Sequence, residues 1–211
     1  MTPKQKYFEL AANTVIKNLN KRQMEGYYCP DRAAAVKKAL ELIPEGSTIG
    51  WGGSQTLPQL GIFEELSARP YTLLDRSTAK TPEETRKMKQ ALFTCDAFLM
   101  STNAITMDGL LINIDAYGSR VAYLCHGPEQ VLVLTGMNKL APDLDSGLAR
   151  ARNHAAPPNA VRFGLNTPCT VSGQCGNCLA ERTICCQFVV TRFSAVPKRV
   201  KVLLIGEELG F

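Results

Sequence analysis

The sequence predicts an α/β fold: a mixed, largely parallel sheet flanked by helices, with a cysteine-rich metal loop set into its C-terminal third. Three observations predict it. Short apolar runs alternate with amphipathic stretches of helical period, the pattern of βαβ units. Gly, Pro, Asn and Asp punctuate the boundaries between them. Four of the eight cysteines fall within 17 residues, in a stretch with no usable periodicity.

The elements follow in order. Residues 3–23 carry apolar side chains at helical spacing (Tyr7, Leu10, Ala11, Val15, Leu19), and a second helix follows Asp31, an N-cap, through Ala35, Val36, Ala39, Leu40 and Ile43. A turn at 44–46 leads to a strand over 47–51, a sharp bend at Gly52-Gly53-Ser54, and a helix over 55–66. A strand at 71–74, a helix opened by Thr81-Pro82 and a strand at 97–100 repeat the unit. The apolar runs 110–114, 121–124 and 131–134 read as further strands, and a helix runs from Asp143 to about His154, ended by Pro157-Pro158. Residues 164–186 form a loop, and strands at 188–190 and 200–205 return the chain to the sheet.

With 211 residues, 45% hydrophobic, the chain is long enough for one large core and short for two independent ones. The expected organisation is an N-terminal helix over 1–24 and one α/β domain over 25–211 that contains the loop 164–186. The net charge of +5 is scattered among acids, with no basic stripe and no interleaved aromatics, which sets nucleic acid aside. No segment approaches the run of about 18 apolar residues that spans a bilayer, and the charged amphipathic N-terminus lacks the apolar core of a signal peptide. A cytoplasmic location is expected. In that reducing compartment clustered thiols more often bind metal or react than pair.

The cluster is Cys169-x5-Cys175-x2-Cys178-x6-Cys185, with Cys186 adjacent. Four thiolates so spaced suit a tetrahedral metal or a cubic cluster. A single Cys-x2-Cys flanked by outlying cysteines resembles iron-sulfur spacing more than the paired knuckles of structural zinc, so a 4Fe-4S cluster is expected, with zinc as the alternative. Cys186 is either a spare ligand or a neighbour. Cys29, Cys95 and Cys125, each alone in or beside an apolar run, read as small core residues.

The turn Gly50-Trp51-Gly52-Gly53-Ser54-Gln55-Thr56 lies where a strand hands over to a helix, a place where anions bind backbone N–H groups. It is neither a Rossmann nor a Walker fingerprint, and a tight turn with a Ser or Thr cap fits it equally. Thr102, Asn103, Ala104 and Ile105 follow the strand at 97–100, where loops of an open sheet line the ligand crevice. Asp108 and Asp115 are candidate acid or base groups, Asp115 the better one because Asp108-Gly109 is an ordinary turn dipeptide. Arg120, Lys139, Arg150, Asn153 and His154 read first as solvated surface groups.

The segments WGGSQTLPQLG, STNAITMDGLLINIDAYGSRVA, the NK of GMNKL, RARNHAAPPNA and TPCTVSGQCGNCLAERTIC together resemble the lactate-utilisation (LUD) domain family, in its short branch with a C-terminal Cys cluster. The resemblance covers roughly residues 25–211. It implies a fold similar to the ribose-5-phosphate isomerase and CoA-transferase group, and a role beside the oxidation of lactate to pyruvate. By resemblance Gly52, Gly53, Ser54, Thr56, Asn103, Asp108, Asn113, Asp115 and Arg120 face a common crevice, and Cys169, Cys175, Cys178 and Cys185 match the branch's cysteines. The residue after the fourth cysteine is commonly Asn in that branch and is Cys186 here.

Three functions are expected to compete. One is an iron-sulfur redox component or enzyme of lactate or related organic-acid metabolism, with a redox partner protein. Another is a non-redox enzyme acting on a small carboxylate or phosphate, its metal site a staple. The third is a regulatory or scaffold subunit without chemistry, whose metal loop is an interaction surface. A homodimer is expected from the family analogy.

Overall fold

The structure, a computed structural model, describes residues 2–211. Helix α1 (Pro3–Lys21) opens with a capping box in which Gln5 N–H donates to the Thr2 hydroxyl and Thr2 N–H to the Gln5 carboxamide. It buries Phe8, Ala11, Ala12, Val15 and Leu19. Strand β1 (Glu25–Cys29) leads to helix α2 (Arg32–Leu42), capped as expected by Asp31, whose carboxylate accepts from Ala34 N–H at 2.8 Å. Then come β2 (Thr48–Trp51), α3 (Thr56–Leu60), α4 (Ile62–Ser67), β3 (Thr72–Leu74), α5 (Pro82–Phe93) and β4 (Ala97–Met100). The helix expected over 55–66 is two, because Gly61 at φ 68° breaks it in the left-handed region.

Strands β5 (Ala104–Thr106) and β6 (Leu111–Asp115) form a hairpin, followed by α6 (Ser119–Cys125), β7 (Gln130–Gly136) and β8 (Leu140–Ala141). Residues 121–124, read as a strand, lie in α6; so short an apolar run carries no period, and burial of Val121, Tyr123 and Leu124 beside β4 decides for helix. Helix α7 (Leu144–Arg150) passes through a π-helical turn (Ala151–Ala155) straight into α8 (Ala156–Arg162). Pro157-Pro158 therefore does not end the helix: the prolines fall in the first turn of α8, where an N–H is not required. A short α9 (Pro168–Ser172), β9 (Gln187–Thr191) and β10 (Val200–Ile205) complete the chain.

The expected single mixed sheet is two. The six-stranded sheet, in order β1-β10-β7-β4-β2-β3, is parallel throughout, and the four-stranded sheet β8-β5-β6-β9 carries the antiparallel pairs. Alternation along the central strands builds two cores. Phe98, Met100, Val131, Val133, Val202 and Leu204 face α1, α5 and α6, while Ala97, Leu99, Leu132, Leu134, Leu203 and Ile205 face α2, α3 and α4. A sheet so covered on both faces needs near-continuous apolar strands, which the sequence shows. The smaller sheet packs Ile112 and Ile114 against Ala151 and Ala156 of the long helix. Among the described residues no helix is long and apolar enough to cross a membrane.

Candidate functional site

Adjacent strands β2, β4 and β7 run parallel, so the loops that leave them meet at one end of the sheet, the place where open α/β sheets bind ligands. The loop after β2 brings Gly53, Ser54 and Gln55, the loop after β4 brings Ser101, Thr102 and Asn103, and a 3-10 turn after β7 (Met137–Lys139) brings Lys139. Together with Asp115 at the end of β6 they border a cavity of about 600 Å³, a volume suited to a small molecule.

Lys139 lies at its base, 3% exposed. Its Nζ donates to Thr56 Oγ1 and Ser101 Oγ, both at 3.0 Å, and these hydroxyls bond each other at 3.2 Å. Among the described residues no carboxylate comes within 4.0 Å of Nζ. Burial, with Arg150 and then Arg120 nearby, pushes its pKa down to about 7. A buried cation without a counter-ion is costly, and the cost is met either by loss of the proton or by arrival of an anion.

Arg120 has another task. Its Nη1 donates to Ser101 O and Asn113 Oδ1, both at 2.6 Å; its Nη2 donates to Asn103 Oδ1 at 3.1 Å and Ile114 O at 2.9 Å; and Nε stands 3.4 Å from Asp115 Oδ2. With both terminal nitrogens hydrogen-bonded and Nε facing Asp115, it is a strut that holds the β4, β5 and β6 ends together. Gly52 makes room for it, since a Cβ there would stand 2.8 Å from Arg120 Cγ. Three further arginines line the cavity from separate parts of the chain: Arg76 and Arg182, without a side-chain partner among the described residues, and Arg162, whose Nε donates to Asn159 Oδ1 at 3.0 Å.

Of the residues singled out from sequence, Gly53, Ser54, Asn103, Asp115 and Arg120 line the cavity, Gly52, Thr56 and Asn113 support it, and Asp108 does not reach it. Asp108 lies under α1, its carboxylate accepting from Arg22 Nη2 at 2.6 Å and from Thr106 Oγ1 at 2.5 Å. Asp115 Oδ1 accepts from Gly118 N–H at 3.0 Å. Lys139, read as a solvated surface group, is the most buried cation of the site; its place directly after the apolar strand Val131-Leu132-Val133-Leu134 was the available signal. Arg76, Arg162 and Arg182 carry no local signal, because only the tertiary fold gathers them. Asn153 and His154 are exposed, and Arg150 donates to Asn138 O and Asn103 O.

A model of the LUD domain family matches residues 12–205. The chain is a LUD-domain protein. Comparison with curated proteins finds no match. A crystal structure of a DUF162 family protein, the same family, from Deinococcus radiodurans is similar over 94% of this chain and 98% of that one, with TM-score 0.56 and 10% identity. Ribose 5-phosphate isomerase from Plasmodium falciparum matches 53% of this chain and 52% of its own at TM-score 0.34 and 18% identity.

The cysteine loop of the LUD-domain protein forms one wall of the cavity through Glu181, Arg182, Thr183, Ile184 and Cys186. All eight cysteines are free thiols. Cys185 is half-buried against the smaller sheet, and its thiol is pushed up, first by burial and then by Cys175, Cys169 and Cys178 nearby, with a Thr183 hydrogen bond opposing. Arg152 Nη2 stands 3.7 Å from Cys175 Sγ, and Thr167 Oγ1 bonds Cys169 Sγ at 3.2 Å. Among the described residues no three His, Cys, Asp or Glu side chains are grouped so as to hold a metal ion. Cys29 and Cys95 are buried as expected, but Cys125 is exposed, because the apolar run before it is a helix that buries Val121, Tyr123 and Leu124 and leaves Cys125 on its outer face.

Proposed function

We propose that this LUD-domain protein binds and acts on a small anion, a carboxylate or phosphate, in the metabolism of lactate or a related organic acid. The observation that carries this reading is the uncompensated Lys139 in a cavity also lined by Arg76, Arg162 and Arg182. An entering anion supplies the missing counter-ion. Asp115, held by Gly118 N–H and Arg120 at the cavity wall, is the carboxylate placed to exchange a proton with it.

Because an anion favours the charged amine, binding is coupled to proton uptake by Lys139. The test is calorimetric titration with lactate and with phosphate at pH 8, in two buffers of different ionisation enthalpy. Uptake approaching one proton per site in the native chain, lost in Lys139→Met, is expected. Binding without proton uptake, or no binding, overturns the reading.

One observation favours a second component of the proposal: Cys169, Cys175 and Cys178 all act on the Cys185 thiol, so the four thiols share a neighbourhood. Drawn together they would hold a 4Fe-4S cluster or zinc, and iron would add electron transfer to a redox partner protein. Metal analysis with visible absorption on protein purified without oxygen separates these. About four iron per chain supports the cluster and one zinc supports a staple; neither metal removes both.

A further inference from the structure

We propose that Lys139 is an amine nucleophile that forms an imine with the carbonyl carbon of an anionic aldehyde or ketone held in the cavity. The inference rests on the anion-site reading and names its substrate class. Three geometric facts carry it. Lys139 lines the cavity, its Nζ held by the Thr56 and Ser101 hydroxyls. Its two side-chain partners, Thr56 and Ser101, are hydroxyls that both donate and accept, and among the described residues no carboxylate pins the ammonium form. Arg76 and Arg182 on the walls have no protein partner among the described residues and can take an anionic group, with Arg162 beside them, while the carbonyl reaches the amine. Burial beside Arg150 and Arg120 keeps much of the amine unprotonated at neutral pH, the state a nucleophile requires.

The chemistry balances with one proton taken from solvent. The Nζ lone pair bonds to the carbonyl carbon, and the π pair moves onto oxygen. A proton passes from nitrogen to that oxygen through the mutually bonded hydroxyls of Thr56 and Ser101, giving a carbinolamine. The nitrogen lone pair then forms C=N as the C–O bond breaks, and the hydroxyl leaves as water with a proton taken up from solvent. The product is a protonated imine, an electron sink for bond cleavage at the neighbouring carbon.

The test treats the full chain separately with glyoxylate, pyruvate and dihydroxyacetone phosphate in the presence of cyanoborohydride, and maps adducts by peptide mass spectrometry. At least one probe is expected to mark Lys139 roughly tenfold or more faster than any surface lysine at pH 7, with competition by lactate or phosphate, which have no carbonyl to capture. Lys139→Arg removes the adduct; the site map on the native chain decides the matter even if that variant does not fold. Modification spread over surface lysines with Lys139 unmarked overturns the proposal. If lactate or phosphate still binds with proton uptake, the imine alone fails; if nothing binds and nothing is captured, the anion site fails with it.

Discussion

Cys185 and Cys186 are neighbours in the chain and face different surroundings: Cys185 packs half-buried against the smaller sheet, under the electrostatic influence of the other three loop thiols, while Cys186 lines the cavity. Cys186 N–H donates to Asp115 O at 3.1 Å, so β6 and the start of β9 hold the pair in this split orientation.

The split orders thiol reactivity. Cys186 is expected to alkylate readily and to be protected by phosphate or lactate, whereas Cys29 and Cys95, buried and pushed up to about 11, react only after unfolding. Cys185→Ser is expected to abolish metal retention and Cys186→Ser to leave it intact. Peptide-level labelling with a maleimide and metal content of the two variants check this; equal loss in both would sink the assignment.

The sign of the Lys139 shift sets a pH dependence. Its folded pKa of about 7 lies below the ordinary 10.5, so the folded state disfavours the proton, the penalty is full below pH 7, and stability is regained as pH rises from about 7 to 10.5. Lys139→Met is therefore expected to stabilise the ligand-free chain by about 3–5 kcal/mol at pH 6, with the gain shrinking toward zero by pH 10.5. Urea unfolding of both proteins at several pH values measures it, and a pH-independent difference would contradict the assignment.

Removing the strut leaves several acceptors without partners. Arg120→Met is expected to cost about 3–5 kcal/mol and to abolish anion binding, since Ser101, Asn103 and Asp115 lose their common tie. Gly52→Ala is expected to act in the same direction by displacing the Arg120 side chain. Thermal melts and calorimetry report both effects; wild-type binding in Gly52→Ala would show that the strut tolerates displacement.

The two candidate acids separate cleanly. Asp108→Asn weakens a half-exposed pair with Arg22, about 0.5–1 kcal/mol of stability, and is expected to leave anion binding unchanged because its carboxylate lies outside the cavity. Asp115→Asn is expected to impair anion binding or turnover and, by breaking the buried pair with Arg120, to lower the melting temperature. Impaired binding in Asp108→Asn instead would reverse the roles.

Much of the architecture was legible locally. The Asp31 and Thr81 caps, the apolar strands 97–100, 131–134 and 200–205, and the bend at Gly52-Gly53 each depend on side chains a few positions apart, and the fold uses them as read. Elements that failed to register were short or at an edge: β1 presents one fully buried residue, and β5 and β8 have three residues and two. Their pairing partners, not their own period, make them strands.

What the sequence by itself determined is therefore the α/β class, the family, the turn at Gly52–Thr56 and the clustering of four thiols, since composition, spacing and capping act over short stretches of chain. Only the tertiary structure decided that the helix continues through Pro157-Pro158, that Asp108 lies outside the cavity, and that Lys139 is buried with hydroxyl partners while Arg120 is a strut. Burial and electrostatic environment belong to groups brought together across the sheet: Thr56, Ser101 and Lys139 meet because β2, β4 and β7 lie side by side, a relation that no window of sequence contains.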